Sequence, residues 1–449
     1  MKMSKLEYKY QIKWDKVRAS TLVSPFGVGA MMDLPDQVLM TASGEWWEKK
    51  KLTIIHDERL EKVLKVKGFK SPIVKIADNN SEDKKEENLY MPFVQFPTWY
   101  FCPKCRTFKP IIEWENDYKK HNGKDKVMMK LVCSKCKVKL APARIVIACE
   151  NGHIDDFPWI EWVHLKNHKK ICKNPELKIK TSGVSSGLEG ISVECECCKA
   201  RISLSGTFSS EDKNEFEELE KKAKEQKLVD ENFSLRCKGN RPWDGGNEEC
   251  SYYPRTLQRG ATNIYFPKIE SSIVIPPYSD KYTKAIEQSL EFQNMNTNLE
   301  FIEKRKITGS AREETIREAI ESISKETLLN KNVVEKIILR KLDDSISENI
   351  STDKTKYKEE EYRALVGDLS YDAFNQEDFK VEPVDGVNYN RSYIRKIVLI
   401  HKMKEVRALT GFSRINGPDN NLIDSESNSE AGKCKIIRPL SDTSWYPAI

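Results

Sequence analysis

Four cysteines set the terms on which this chain folds: Cys102-Pro-Lys-Cys105, twenty-seven residues, then Cys133-Ser-Lys-Cys136. Two Cys-x-x-Cys turns bring four thiolates to one point, and tetrahedral Zn(II) takes four such ligands, so the spacing predicts a structural zinc ribbon. The pattern runs well past this quartet, because eleven of the twelve cysteines lie between Cys102 and Cys250. The chain is expected to be a metal-stapled assembly.

Two further ligand sets can be read from the remaining residues. Cys149-Glu-Asn-Gly-His153 offers a thiolate and an imidazole, and Cys172 with either His164 or His168 completes a tetrahedron of two cysteines and two histidines. Spacing alone leaves the choice of histidine open. The third set joins Cys195 and Cys198 to Cys237 and Cys250, with Cys197 able to replace a neighbour. Each set supplies four protein ligands and leaves no position for water, the pattern of Zn(II) that holds a fold and does no chemistry. Two or three zinc ions per chain are therefore expected.

Catalytic alternatives fail on the letters. A nucleobase deaminase needs His-x-Glu and Pro-Cys-x-x-Cys, whereas His153 is followed by Ile154-Asp155 and Phe101 precedes Cys102. No His-Glu-x-x-His and no Gly-x4-Gly-Lys-Ser/Thr occurs, which removes the common metalloprotease and ATPase motifs. The glycines of Ser24-Pro-Phe-Gly27-Val-Gly29-Ala-Met-Met-Asp33-Leu-Pro35 imply close backbone approach rather than a nucleotide loop, since no Lys-Ser or Lys-Thr follows. The chain is thus expected not to be an enzyme. The alternative is a metal-dependent nuclease or hydrolase centred on His153, Asp155 and Asp156.

At 449 residues the chain has room for roughly three domains at ~150 residues each. Met1 to Trp14 contains no apolar run of the kind a signal peptide needs, and no stretch approaches the ~18 apolar residues of a membrane helix. A cytoplasmic location follows, where clustered cysteines are metal ligands more often than disulfides. The fold class expected is α+β and multi-domain. Residues 1–89 form an N-terminal segment with the Gly-rich turn, 90–270 a zinc-binding region with a helical insertion at 207–232, and 271–449 a helical C-terminal region. Asn79 to Asn88 reads as a charged dividing loop, and Phe216, Leu219 and Ala223 form the only apolar stripe of the insertion.

Helices are expected from near Ser279 to about Asp344, with Ser310-Ala-Arg-Glu313 as a capping box and Ile316, Ala319, Ile320 and Ile323 as a buried stripe. A further helix is predicted over Ser392 to Leu409, with Leu399, Met403, Val406 and Leu409 on one face and Gly411 ending it.

Charge bears on partners only locally. The net charge is +6, but between Phe101 and Leu140 eleven Lys or Arg face four Asp or Glu. Lys104, Arg106, Lys135 and Lys137 of this ribbon, together with Arg259, are candidate contacts to a phosphate backbone. The aromatic run from Tyr90 to Phe101 adjoins the ribbon, and its rings are expected to be core rather than a stacking platform for bases.

Several longer stretches carry a family resemblance. They are Arg18-Ala-Ser20 with Phe26-Gly-Val-Gly29-Ala-Met-Met-Asp33, Ala148-Cys149-Glu-Asn-Gly-His153-Ile-Asp-Asp-Phe157-Pro-Trp159 with Trp162-Val-His164, and Arg241-Pro-Trp243. Leu257-Gln-Arg259-Gly-Ala-Thr-Asn263-Ile-Tyr265-Phe-Pro267 and Glu405-Val-Arg407-Ala-Leu-Thr410-Gly-Phe412-Ser-Arg414 extend it over nearly the whole chain. On these residues the chain resembles the DrmB family of DISARM anti-phage systems. The resemblance implies a non-catalytic, zinc-containing partner of a superfamily-two helicase, DrmA, that helps the helicase engage DNA. It also favours His164 over His168, because Trp162-Val-His164 belongs to the shared stretch. Members of that family usually continue beyond the position of Trp445-Tyr-Pro-Ala-Ile449 into a further C-terminal domain, and on this resemblance that segment is expected to be split onto another chain, lost or absent here.

Overall fold

The structure is a computed structural model. It describes residues 18–34, 37–47, 52–72, 91–123, 128, 130–181, 188–208, 213–275, 280–305, 309–342, 354–366, 379–384, 393–417, 435–441 and 444–449. The loop expected at Asn79 to Asn88, Tyr90 of the aromatic run and Pro35 of the Gly-rich turn lie outside the described residues. The fold is mixed α and β, with cysteine clusters in the middle and helices following them. It divides into two compact units, each assembled from separated segments. One comprises Met1–Lys51, Ala77–Lys268 and Leu409–Ser441, the other Leu52–Ile76, Ile269–Ala408 and Asp442–Ile449.

In the first unit a six-stranded sheet runs in the order Arg201–Ser203, Ile191–Cys195, Leu177–Thr181, Thr107–Pro110, Trp99–Phe101, Ala141–Pro142. Apolar side chains alternate along Leu177–Thr181 and Ile191–Cys195, so one face of these strands is free to bury aromatics. Phe108 meets Trp159 edge to face at 4.8 Å, and Trp162 from the short helix Trp159–Leu165 meets Phe216 at 5.8 Å. The helix Glu215–Glu225 of the insertion closes this core with Phe216, Leu219 and Ala223, as its stripe predicts, and Asn214 caps it by accepting from the Phe216 and Glu217 amides. Of the aromatic run, Phe96 and Tyr100 are fully buried, and Trp99 packs on Phe108 at 4.9 Å.

A three-stranded sheet orders Ile154–Asp156, Ile145–Ala148 and Arg255–Gln258, with Arg255 opposite Ala148. The glycines near the N-terminus are there for close approach. A Cβ on Gly29, whose φ is +81°, would lie 2.5 Å from the Phe412 ring, and one on Gly27 would lie 2.6 Å from Leu409.

In the second unit the helices Asp280–Gln288, Leu290–Lys304, Gly309–Thr327 and Lys331–Leu342 pack around Met295, Leu299, Ile316, Ile320, Ile323, Val334 and Ile337. The predicted stripe Ile316, Ala319, Ile320 and Ile323 is buried as a set. The third helix begins at Gly309, so Ser310 stands inside its first turn and not at the cap position expected for it.

The helix predicted over Ser392 to Leu409 is instead two strands, Val398–Met403 and Glu405–Ser413. The apolar residues of this stretch fit two periods at once. The β-branched Val398, Ile400, Val406 and Thr410 favour the extended choice, and Val406 and Ala408 are buried on either side of exposed Arg407 while Leu399 and Met403 are exposed. Gly411 lies within the second strand, where a Cβ would come 2.4 Å from Ile436.

Asp57 heads a short helix, Glu58–Leu64, in the second unit, and its Oδ1 accepts from the Leu60 amide at 2.8 Å. Burial pushes its carboxyl up to about 6, against the hydrogen bonds from Leu60 and Ser272 that pull it down. No helix among the described residues is long and apolar enough to cross a membrane.

Candidate metal centres

Three groups of four soft donors form in the first unit, and within each group the ligand atoms lie within 4.8 Å of one another. The first is Cys102, Cys105, Cys133 and Cys136, as the spacing predicts. Its two turns are built alike. The Cys105 and Cys136 amides each point at the sulfur three residues back, at 3.4 Å, and Arg106 and Lys137 follow in the left-handed region with φ of 65° and 58°. The turn at Cys195–Cys198 shares the left-handed residue, with Lys199 at φ 59° and its amide donating to the Cys195 carbonyl. Around the first centre Tyr100, Trp114 and Leu140 form a small core, and the Trp114 indole donates to the Tyr100 carbonyl at 3.1 Å.

All twelve predicted ligands gather, but the second and third sets exchange halves. Cys149 and His153 meet Cys237 and Cys250, whereas His164 and Cys172 meet Cys195 and Cys198. Two centres of three cysteines and one histidine replace the expected pair, one with two histidines and one with cysteines alone. The reason is strand pairing. The strand after Cys250 lies against the strand before Cys149, and Leu177, just after Cys172, is directly opposite Cys195. Cys149 Sγ is 3.9 Å from Cys250 Sγ and 3.4 Å from His153 Nδ1, which is itself 3.6 Å from Cys237 Sγ.

Both histidines have one nitrogen held and the other directed inward. His164 is fully buried, its Nδ1 bonds the Ile160 carbonyl at 2.7 Å, and its Nε2 is buried with no hydrogen-bond partner among the described residues. His168 is exposed and bonds Gln226 at 2.8 Å, so it takes no place in the cluster. Cys197 is exposed and stands outside the four.

The donor set fits a soft divalent cation. The hydrogen bond from the Cys237 thiol, with His153 alongside, pulls Cys149 down to about 4, and the same contact pushes Cys237 far up. Burial and the neighbouring sulfurs push Cys172 up to about 12. Sulfurs this close cannot all ionise on their own, and a cation at their centre removes that conflict. Sets of four cysteines, or of three cysteines and a histidine, are those of structural Zn(II). The described cysteines form no disulfides.

The residues proposed for DNA contact fall in two environments. Lys104, Lys135 and Lys137 are exposed on the first centre's turns and Arg106 is half-buried there. Arg259 is tied down, its Nε 3.1 Å from Asp33 Oδ1 and its Nη1 donating to the Ala143 carbonyl at 3.0 Å. His153, Asp155 and Asp156 do not gather as ligands. Asp156 accepts from the Thr98 amide at 3.0 Å and Asp155 accepts from Asn240, while His153 is turned to the thiols. A cavity of about 320 Å³ beside them is lined by Trp99, Trp159, Arg236 and both carboxylates.

Sequence reasoning missed Glu248 and Lys435. Glu248 Oε1 lies 2.7 Å from His153 Nε2 and accepts from Lys435 Nζ at 2.7 Å. Neither residue carries a spacing signal, because Lys435 reaches the site from a segment remote in sequence.

Fold and sites together define a protein framed by three closed sets of four cysteine and histidine donors, each able to hold a metal ion. The chain belongs to the family described as "Domain of unknown function (DUF8724)", whose model matches residues 18–266, a span that holds all twelve ligands. It is also similar to the DISARM protein DrmB of Bacillus paralicheniformis, with 28% identity over 440 residues, 93% of this chain. The chain spans 65% of the length of that relative.

Proposed function

We propose that this chain is a non-catalytic, zinc-stabilised accessory subunit in a DISARM-type anti-phage defence, working in the cytoplasm. In this reading it binds a DrmA-like superfamily-two helicase and helps it engage DNA. Three Zn(II) ions hold the first unit, bound by Cys102, Cys105, Cys133 and Cys136, by Cys149, His153, Cys237 and Cys250, and by His164, Cys172, Cys195 and Cys198.

The observation that carries the reading is the closure of the centres. Each has four donors from the chain, so a bound metal is saturated and has no place for a reacting water. A saturated metal organises a surface, and the surface around the first centre carries exposed Lys104, Lys135 and Lys137. Similarity to a DISARM protein over nearly the whole chain supports the defence role.

Co-expression with neighbouring reading frames, affinity capture and metal quantification test the proposal. A helicase should copurify, with three zinc ions per chain, and the isolated chain should leave DNA intact in Mg(II) or Mn(II). DNA cleavage by the chain alone, or a natively compact chain free of zinc, would overturn it.

A further inference from the structure

The second centre has an outer layer that reaches far along the chain. His153 is fully buried, and its Nε2 lies 2.7 Å from Glu248 Oε1. That oxygen also accepts from Lys435 Nζ at 2.7 Å, and Glu248 Oε2 is 3.5 Å from Arg241 Nη1. The backbone of the same late segment and the side chain of Arg414 grip the turn bearing the first two ligands. The Lys435 amide donates to the Glu150 carbonyl at 3.2 Å, and Arg414 Nε donates to the Gly152 carbonyl at 2.9 Å. Ile437 lies so close to Gly152 that a Cβ there would sit 2.4 Å from it. Onward from Lys435, Pro439 accepts from the Ser43 hydroxyl at 3.0 Å and Ser441 donates its amide to Glu45 at 2.8 Å.

A histidine that binds metal through one nitrogen is oriented by whatever holds the other, and a carboxylate there also raises the basicity of the ring. With Nδ1 turned to the sulfurs of Cys149 and Cys237, Glu248 is the group that fixes His153. We infer that Glu248 is the positioning residue of the second centre and that, through its shared bond to Lys435, metal binding there locks residues 435–441 onto the turn Cys149–His153 of the same unit. The inference rests on the reading of Cys149, His153, Cys237 and Cys250 as a zinc site.

The consequence is a coupling between two measurable quantities, the grip on one zinc ion and the protection of one segment. An oriented His153 holds Glu248 in place, and Glu248 in turn holds the Lys435 ammonium. Lys435→Met removes only the outer link, and Glu248→Gln keeps the shape of the carboxylate while removing its charge.

The full chain carries the test. Zinc release to excess chelator is followed beside hydrogen exchange at the Ile437 amide, which donates to the Phe412 carbonyl at 2.8 Å. Glu248→Gln should release one zinc ion about 10 to 100 times faster, leave the other two unchanged, and shift the visible bands of one bound Co(II). It should also speed exchange at Ile437. Lys435→Met should speed that exchange and leave zinc release within about twofold. Cys237→Ser should abolish one zinc ion and expose the segment. Unchanged zinc release and exchange in Glu248→Gln, with one zinc ion lost in Cys237→Ser, would overturn the inference and leave the site intact. Full zinc in Cys237→Ser would overturn the site itself.

Discussion

The Nδ1 of His164 lies 2.7 Å from the carbonyl of Ile160, one turn back on the same short helix. This contact fixes the tautomer and leaves Nε2 as the only donor for a metal, buried near Cys172, Cys195 and Cys198. His164→Ala should therefore cost one zinc ion per chain, while His168→Ala should keep all three and shift the melting temperature little. Zinc counting on the two purified variants checks this, and equal content in both would remove His164 from the ligand set.

The first centre makes a sharper demand on folding. Structural zinc supplies on the order of 10 kcal/mol to a small metal-bound domain. Cys102→Ser should lose one zinc ion and open the ribbon around Tyr100, Trp114 and Leu140, read as rapid proteolysis between residues 102 and 136. A variant with full zinc and native protease resistance would contradict the structural role.

Replacing exposed Lys135 and Lys137 by Glu tests the DNA face. For every phosphate that a lysine no longer neutralises, the slope of log affinity against log salt should fall by about 0.9, whatever the base sequence. Unchanged affinity and slope in the double variant would take the ribbon off the DNA path.

Gly239 gives a test of the backbone at the second centre. Its φ is +70°, its amide points at Cys237 Sγ at 3.3 Å, and a Cβ would lie 1.6 Å from the Glu248 carbonyl oxygen. Gly239→Ala must move the backbone that carries Glu248, so zinc should leave the second centre before the other two. Loss of zinc in equal measure from all three would show the effect to be general unfolding.

Asp57 gives the second unit a pH signature. Its folded pKa of about 6 lies above the usual ~3.9, so the native state holds an extra proton between those values and this group's cost to stability fades as pH falls through that window. Asp57→Asn keeps a capping oxygen for the Leu60 amide and removes the buried charge. The variant should gain up to about 3 kcal/mol over the parent at pH 7.5, from two pKa units at ~1.4 kcal/mol each, with a smaller gain at pH 5. Parallel urea midpoints for the two proteins from pH 7.5 to 5 would rule the charge out.

What was legible in the sequence depended on how far apart the cooperating residues stand. The turns at Cys102–Cys105 and Cys133–Cys136 are local, so their spacing predicts both ligands and geometry. The stripe Ile316, Ala319, Ile320 and Ile323 needs only a helix. The partition of the other eight ligands is a matter of strand register, since Leu177 opposite Cys195 and Arg255 opposite Ala148 decide which half-sites meet. Spacing holds no record of register. Residues 398–409 misled for a related reason, because an apolar set compatible with two periods is settled only by the partners it finds.

The exchange of halves leaves one centre nested inside the other, since Cys149 and Cys250 bracket every ligand from His164 to Cys198. During synthesis the inner set is complete as soon as Cys198 has emerged, while the outer set waits for Cys250. Topology alone thus fixes the order in which the two donor sets become complete, the enclosed set while the enclosing one still lacks its last cysteines.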